Sequence, residues 1–464
     1  MHEDTEFDIV VVGAGACGLT AALAAHCADP TLRIAVLEKA QRLMGNSMLS
    51  SGSIPASGTR FQQQAGIRDS NELFLRDLLA ISGEHEAMHL AQALIDVSAE
   101  VIHWLVDTAH VNLTLVQSYK HVGHSVYRLH SPPSRRGADL TNDLMRSVQA
   151  HDIPVVFNNP VRRLLTTADG LRVCGLVSQT PDGKETVVST KAVILASNGF
   201  GANRELLKKY IPSVAPVAYG GSTGSEGEAI IWGELLGADL RNMAAYQGHA
   251  SLADPHGSLV TWTVIEKGGV IIDGSGQRLG NETIGYSAFA ALEITRPGPF
   301  YVLADARIRD LTAEGQQEYA DLVAAGGVRE FPTLQALADA LGLSPSVLVD
   351  TIESVTAAAK GTRADSWGRK DWGLSPLVAP YTLTRITPAL FHTQGGLNVD
   401  AKARVLRADG TWVSGLYAGG GAAAGISGAA GGTGYVSGNG LLAAVGLGYL
   451  AGLDSALFVA SKAH

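Results

Sequence analysis

Three glycines and one acid hold the first chemistry legible in this chain. Gly13, Gly15 and Gly18 sit in Gly13-Ala14-Gly15-Ala16-Cys17-Gly18, and Glu38 follows Gly18 by twenty residues. In such a turn the first glycine permits a sharp bend, the second lets the backbone approach a pyrophosphate, and the third lets a helix pack closely on a strand. The free N–H groups and positive dipole of a helix N-terminus attract phosphates. An acid about twenty residues on can accept hydrogen bonds from a ribose. The chemistry is recognition of a dinucleotide, and it leaves open which one.

A glycine triplet alone is common in plain turns, so the elements around it decide. Ile9 to Val12, with Phe7 ahead, read as a buried parallel strand. An Ala/Leu-rich helix follows the glycines and stops near Asp29-Pro30. A second strand, 33–37, ends on Glu38. Strand, helix, strand and acid stand in the order the chemistry requires.

Composition narrows the rest. A chain of 464 residues can hold two or three domains, and 46% hydrophobic content supports a large core. The net charge of -9, with no basic cluster beyond Arg135-Arg136, argues against nucleic acid. Cys17, Cys27 and Cys174 lack metal-ligand spacing and suggest reduced thiols. No metal is expected. The N-terminus is acidic and runs into the first strand, so a cytoplasmic protein without a signal peptide is expected. The low-charge run 415–453 is long enough to span a membrane, but glycine clusters, Ser427, Thr433, Ser437 and Asn439 break it. No stable membrane insertion is expected.

Further along, the small polar loop Met44 to Ser53 could lie along a cofactor. Apolar spacing predicts helices over 71–82 and 84–108, and Asp139 a helix cap. The loop 121–137 holds His121, His124, Tyr127, Arg128, His130, Arg135 and Arg136. Strands dominate 154–196, with a hairpin turn at Asp182-Gly183. The last of them ends in Ser197-Asn198-Gly199, small residues suited to a strand arriving at the same nucleotide. Short strands and charged helices fill 240–390, with Pro345 at a first helical position. Glycine-rich character returns from His392. The pattern predicts a first domain in two parts, 1–239 and 391–464, interrupted by a second at 240–390.

At this point the chain resembles the flavoprotein subunits of fumarate reductase and succinate dehydrogenase, with 3-ketosteroid dehydrogenases as relatives. The resemblance rests on the N-terminal glycines, Gly45-Asn46-Ser47, 193–200, Gly276 to Glu282, Phe391 to Leu397, and Gly415 to Gly420. It implies an α/β fold: a Rossmann-like FAD-binding domain, a parallel sheet with added antiparallel strands, interrupted by an α+β cap domain. It also implies FAD. The loop after the second strand carries no histidine, so the FAD would be non-covalent. Its contacts would be Gly13, Gly15, Ala16, Cys17 and Gly18; Glu38 and Lys39; Asn46, Ser47, Ser51 and Gly52; Val161; Ala196, Ser197, Asn198 and Gly199; Gly420 and Gly421; and Gly438, Asn439, Gly440 and Leu441. Most members carry Glu, and ketosteroid dehydrogenases Asn, where this chain has Gly421. The last helix would aim its N-terminus at the flavin pyrimidine.

The resemblance also assigns reacting residues. His249 and His392 match the two histidines with which fumarate reductases bind dicarboxylates. The two arginines of that site are replaced: the proton donor by Tyr286, the other by a residue near Gly431, with Tyr435 four residues on. Losing both arginines removes the bidentate carboxylate clamps, so a substrate other than fumarate or succinate is expected. Tyr286 and Tyr435 resemble the base and the ketone-polarising tyrosine of ketosteroid dehydrogenases. Each of the four could also be an ordinary packed or hydrogen-bonded residue. Tyr127, Arg128 and His130 are candidates for lining the entrance, and Arg135 and Arg136 for a solvated loop. The expectation is α,β-dehydrogenation of a cyclic or steroid-like ketone, with hydride passing to flavin N5 and Tyr286 taking the proton. An ene-reductase running the same chemistry backwards is the alternative, and a non-catalytic FAD-bound sensor a third reading. No haem or iron–sulfur motif is present, so a separate electron donor or acceptor is expected.

Overall fold

The structure is a computed structural model that describes residues 5–118 and 120–462. Met1 to Asp4, on which the expected lack of a signal peptide rests, lie outside the described residues. The chain divides into two compact units. The first comprises 1–215, 221–247 and 392–464, and the second 216–220 and 248–391.

The first unit is built on one sheet whose strands run in the order Arg404–Leu406, Trp412–Ala418, Glu185–Leu195, Thr5–Val12 (β1), Ile34–Leu37 (β2), Val155–Val156. Two antiparallel strands, Val173–Gln179 and Val161–Thr166, extend it from Glu185–Leu195. The four parallel strands at its centre are level at their carboxyl ends. Val12 pairs with Leu37 and with Leu195, and Leu195 pairs with Ala418. The next residues in each case are the ones singled out above: Gly13, Glu38, Ala196 and Gly419. In open α/β sheets ligands bind outside the carboxyl ends of the strands.

Helix α1 (Ala16–Ala28) follows β1 and packs against the long C-terminal helix Asn439–Ser461. Their approach is close because the facing residues are small. A Cβ on Gly448 would sit 2.5 Å from the Cys17 carbonyl oxygen, and one on Gly452 2.4 Å from that of Ala21. The apolar run 415–453 is therefore core. Asn439–Ser461 is long and apolar enough to cross a membrane, yet 72% of its most apolar window is buried.

The second unit is α+β. Strands Val270–Asp273, Phe300–Asp305 and Tyr381–Thr393 pair antiparallel, with helices including Tyr286–Ile294 and Pro345–Ala359 around them. Its limits differ from the expected 240–390. Leu240–Arg241 pairs with Gly396–Leu397, and Ala244 and Ala245 pair with Ala430 and Gly431, which holds 240–247 in the first unit. Conversely Ala218–Tyr219 pairs with Ala389 and Leu390, which carries 216–220 into the second. Asp139 falls in the first turn of helix Gly137–Ala150 rather than at its N-cap, which is Arg136. The loop 44–53 contains a one-turn helix, Asn46–Leu49.

Candidate active site

The loop between β1 and α1 is fixed from three sides. Gly13 has φ 108°, and a Cβ there would lie 2.4 Å from the Ala196 carbonyl oxygen. A Cβ on Gly18 would meet the Gly13 carbonyl at 1.9 Å. Gly15 differs: its Cβ would meet only Ser47 Oγ, at 3.7 Å, so this face of the turn is open for a ligand. Glu38 accepts the Ala14 N–H on one oxygen and the Ala40 N–H on the other, each at 2.8 Å. That holds the acid against the turn, and each oxygen keeps a second lone pair for a ribose hydroxyl. Ser47 Oγ accepts the Ala16 N–H at 3.2 Å, and Asn46 Oδ1 the Ser222 N–H at 2.6 Å. Lys39 is bound instead to the carboxylates of Glu226 and Glu228. Cys17 turns its thiol inward beneath Gly419, and burial pushes its pKa up to about 12. Only its backbone is left to meet a ligand. The Asn159 N–H donates to the Glu38 carbonyl at 2.9 Å, bringing the segment leading to Val161 alongside.

At the next strand end Asn198 takes a left-handed conformation, φ 68°. Its Oδ1 accepts the Gly199 N–H at 2.9 Å and its Nδ2 donates to Ser225 Oγ at 2.8 Å. A Cβ on Gly421 would lie 2.6 Å from that Oδ1. Asn198 thus fills the space a longer residue at 421 would need. Ser197 Oγ is buried and has no hydrogen-bond partner among the described residues, and the same holds for Asn439 Oδ1.

The candidate reacting residues fall as one His–Tyr pair on each unit. On the first, His392 and Tyr435 meet edge to face, with centroids 5.5 Å apart. Gln394 Nε2 and the Thr393 carbonyl oxygen lie 3.0 and 3.3 Å from His392 Nδ1, on one edge of the ring, and Nε2 is on the other. That edge faces Gly440, where a Cβ would be 3.1 Å from Nε2 and 3.5 Å from the Tyr435 hydroxyl. Burial lowers the His392 pKa to about 4, against a smaller upward effect of the Thr393 carbonyl. Burial raises that of Tyr435 to about 12, partly opposed by the backbone N–H of Gly440. At neutral pH both are neutral hydrogen-bond donors.

On the second unit His249 and Tyr286 are stacked, centroids 4.8 Å apart and planes within 15°. Trp262 meets both rings edge-on. The Ser251 N–H donates to His249 Nδ1 at 3.2 Å, so the proton is on Nε2, and burial lowers the pKa to about 3. Tyr286 is the first residue of helix Tyr286–Ile294, entered through Gly285 at φ 101°. Upstream, fully buried Glu282 is anchored by Arg278 and Arg369 at 2.6 and 3.2 Å. Asn281 accepts the Thr283 N–H and turns the chain towards Gly285. Ser287 Oγ accepts the Gly248 N–H at 3.0 Å, tying this helix to the strand that bears His249.

Residues 8–439 match the family described as the FAD binding domain. The chain belongs to that family. It is 28% identical over 419 residues to the NADH:fumarate oxidoreductase of Klebsiella pneumoniae, which covers 89% of this chain but only 44% of that protein. In fold it is similar to a flavocytochrome c3 fumarate reductase, with TM-score 0.81, 24% identity, and coverage of 98% of this chain and 79% of the other. It is similar too to the 3-ketosteroid delta1-dehydrogenase of Sterolibacterium denitrificans, with TM-score 0.79, 20% identity, and coverage of 98% and 100%.

For an FAD binding domain the cofactor is FAD, and the residues fit it. The open face of Gly15, the acid held at the turn, and the unpartnered Ser197 Oγ and Asn439 Oδ1 at or near strand and helix ends are what a bound dinucleotide would complete. Three expectations from the loop 121–137 change. Arg128 is 1% exposed and His130 fully buried, so neither offers its side chain to solvent. Arg128 pairs with Asp69 and Asp77, and His130 Nε2 contacts Thr59 Oγ1 at 2.9 Å. Arg135 is half-buried and donates to His121 Nε2 at 3.1 Å, instead of lying in water.

Proposed function

We propose that this FAD-dependent protein catalyses α,β-dehydrogenation of a ketone, cyclic or steroid-like. When bound, FAD supplies the acceptor for the hydride that leaves the β-carbon. Tyr435 and His392 donate hydrogen bonds to the carbonyl oxygen, which acidifies the α-proton. Tyr286 takes that proton. His249 is neutral and cannot lower the Tyr286 pKa by charge. The N-terminus of helix Tyr286–Ile294, with its positive dipole, favours the phenolate instead.

The observation that carries this reading is the neutrality of His249, His392 and Tyr435. The buried arginines of the second unit, Arg278 and Arg369, are committed to Glu282, and Arg278 also to Asp365 at 2.6 Å. Neutral donors suit a carbonyl, where a dicarboxylate calls for guanidinium. The reverse reaction, reduction of an activated C=C bond by the reduced flavin with Tyr286 as proton donor, is supported by the sequence likeness to an NADH:fumarate oxidoreductase. In either direction a separate electron acceptor or donor completes the cycle. Anaerobic mixing separates the two. Saturated cyclic ketones should bleach the oxidised flavin if desaturation is right. Reoxidation of the reduced flavin by enones, with no bleaching by the ketones, would favour the reverse.

A further inference from the structure

The stretch that bears Tyr435 is rich in glycine. Gly431, Gly432, Gly434, Gly438 and Gly440 surround the tyrosine, and glycine backbone is conformationally permissive. Two hydrogen bonds join it to the loop 121–128. His124 Nε2 donates to the Ser437 carbonyl at 2.8 Å, and the Ser437 N–H donates to the Val122 carbonyl at 3.2 Å. The loops touch so closely that a Cβ on Gly123 would lie 2.7 Å from Val436.

Behind His124 stands a buried ion cluster. Arg128 NH1 donates to His124 Nδ1 at 3.1 Å and to Asp77 Oδ2 at 2.9 Å. Its Nε and NH2 donate to the two oxygens of Asp69, both at 2.8 Å. The Arg128 and Asp69 side chains are wholly buried, and the face of Phe74 lies 4.5 Å from the guanidinium carbon. Removing such charges from water is costly, and the group is weak evidence for stability. It does have a definite consequence for His124. Arginine only donates, so Nδ1 must accept and the proton must be on Nε2, aimed at Ser437.

We propose that Asp69, Arg128 and His124 form a buried clamp that sets where Tyr435 presents its hydroxyl, with His124 as the positioning residue. The proposal rests on the reading of Tyr435 as a donor to the substrate carbonyl. His124→Leu removes the N–H to Ser437, and His124→Gln can restore it. If the leucine variant does not fold, His124→Asn, which is too short to bridge Arg128 and Ser437, replaces it. With flavin content matched, amide exchange across 433–441 should rise at least ~10-fold in the leucine variant, and kcat on the ketone should fall by at least ~10-fold. The glutamine variant should recover most of both. Unchanged exchange in the leucine variant would overturn the clamp.

In a Tyr435→Phe background, His124→Leu should cause no further loss of kcat. Full additivity would mean that His124 acts by another route and would also overturn the proposal. If Tyr435→Phe alone leaves turnover intact, the carbonyl-donor reading fails, and the exchange measurement still decides the clamp.

Discussion

In the proposed reaction the two His–Tyr pairs use the same residue types to opposite ends. On the first unit the rings meet edge to face, and the Tyr435 hydroxyl is met by the backbone N–H of Gly440, in the first turn of helix Asn439–Ser461. Burial without a nearby cation favours the protonated phenol. On the second unit the rings lie face to face, and Tyr286 opens a helix. A helix N-terminus favours a negative charge at either phenol, and burial separates them: Tyr435 is buried, Tyr286 half-buried. In the proposed reaction that difference suits Tyr435 to hydrogen-bond donation and Tyr286 to proton exchange.

The largest effect expected from breaking that contrast is at Tyr286. With FAD retained, Tyr286→Phe should lower kcat on the ketone by ~10²–10⁴-fold, the range for loss of a general base. Steady-state turnover at matched flavin content measures it, and a loss under threefold would remove Tyr286 from the mechanism. Tyr435→Phe should cost less, ~10²–10³-fold, as for loss of one donor to a developing oxyanion. Its signature differs as well. Without Tyr286, isotope exchange at the α-carbon in the absence of turnover should stop. Without Tyr435 it should slow and persist, because the base remains. Equal loss of exchange in both variants would contradict the division of roles.

How much of this was legible in the sequence follows the range of the interactions. The fingerprint Gly13–Gly18 and Glu38 is local in its logic, and the fold places these residues at the end of a parallel sheet, where a bound dinucleotide belongs. His392, Tyr435, His249 and Tyr286 were singled out by motif, but their ring geometry depends on Gly440, Gln394, Ser251 and Trp262, which no spacing rule connects to them. Asn198 beside Gly421 was unreadable because the two are more than 200 residues apart and meet only through adjacent strand ends. Arg128 was misread for a similar reason. In a polar loop it reads as a residue lining an entrance, and only the fold delivers Asp69 and Asp77 to bury it. The unit boundary at 240 failed because composition changes there before the strand pairing does.

The smallest and most diagnostic effect concerns protons. Both histidines are held neutral, His249 with a pKa of about 3 and His392 of about 4, whereas the unfolded chain titrates its histidines near ~6.5. Above that value neither state is protonated and the shift contributes nothing. As pH falls below ~6.5 the unfolded state takes up protons that the fold refuses, so stability declines down to the folded pKa and levels off beneath it. At pH 5 the penalty for buried His249 is about 2 kcal/mol relative to pH 8, taking ~1.4 kcal/mol per unit. Denaturant midpoints at the two pH values should therefore converge in His249→Gln by about that amount relative to the parent chain, whatever the variant's absolute stability. Parallel lines would mean that His249 is charged in the folded protein. A charged imidazole stacked on Tyr286 would favour the phenolate by direct Coulomb attraction, and the contrast between the two pairs would then rest on charge rather than on burial.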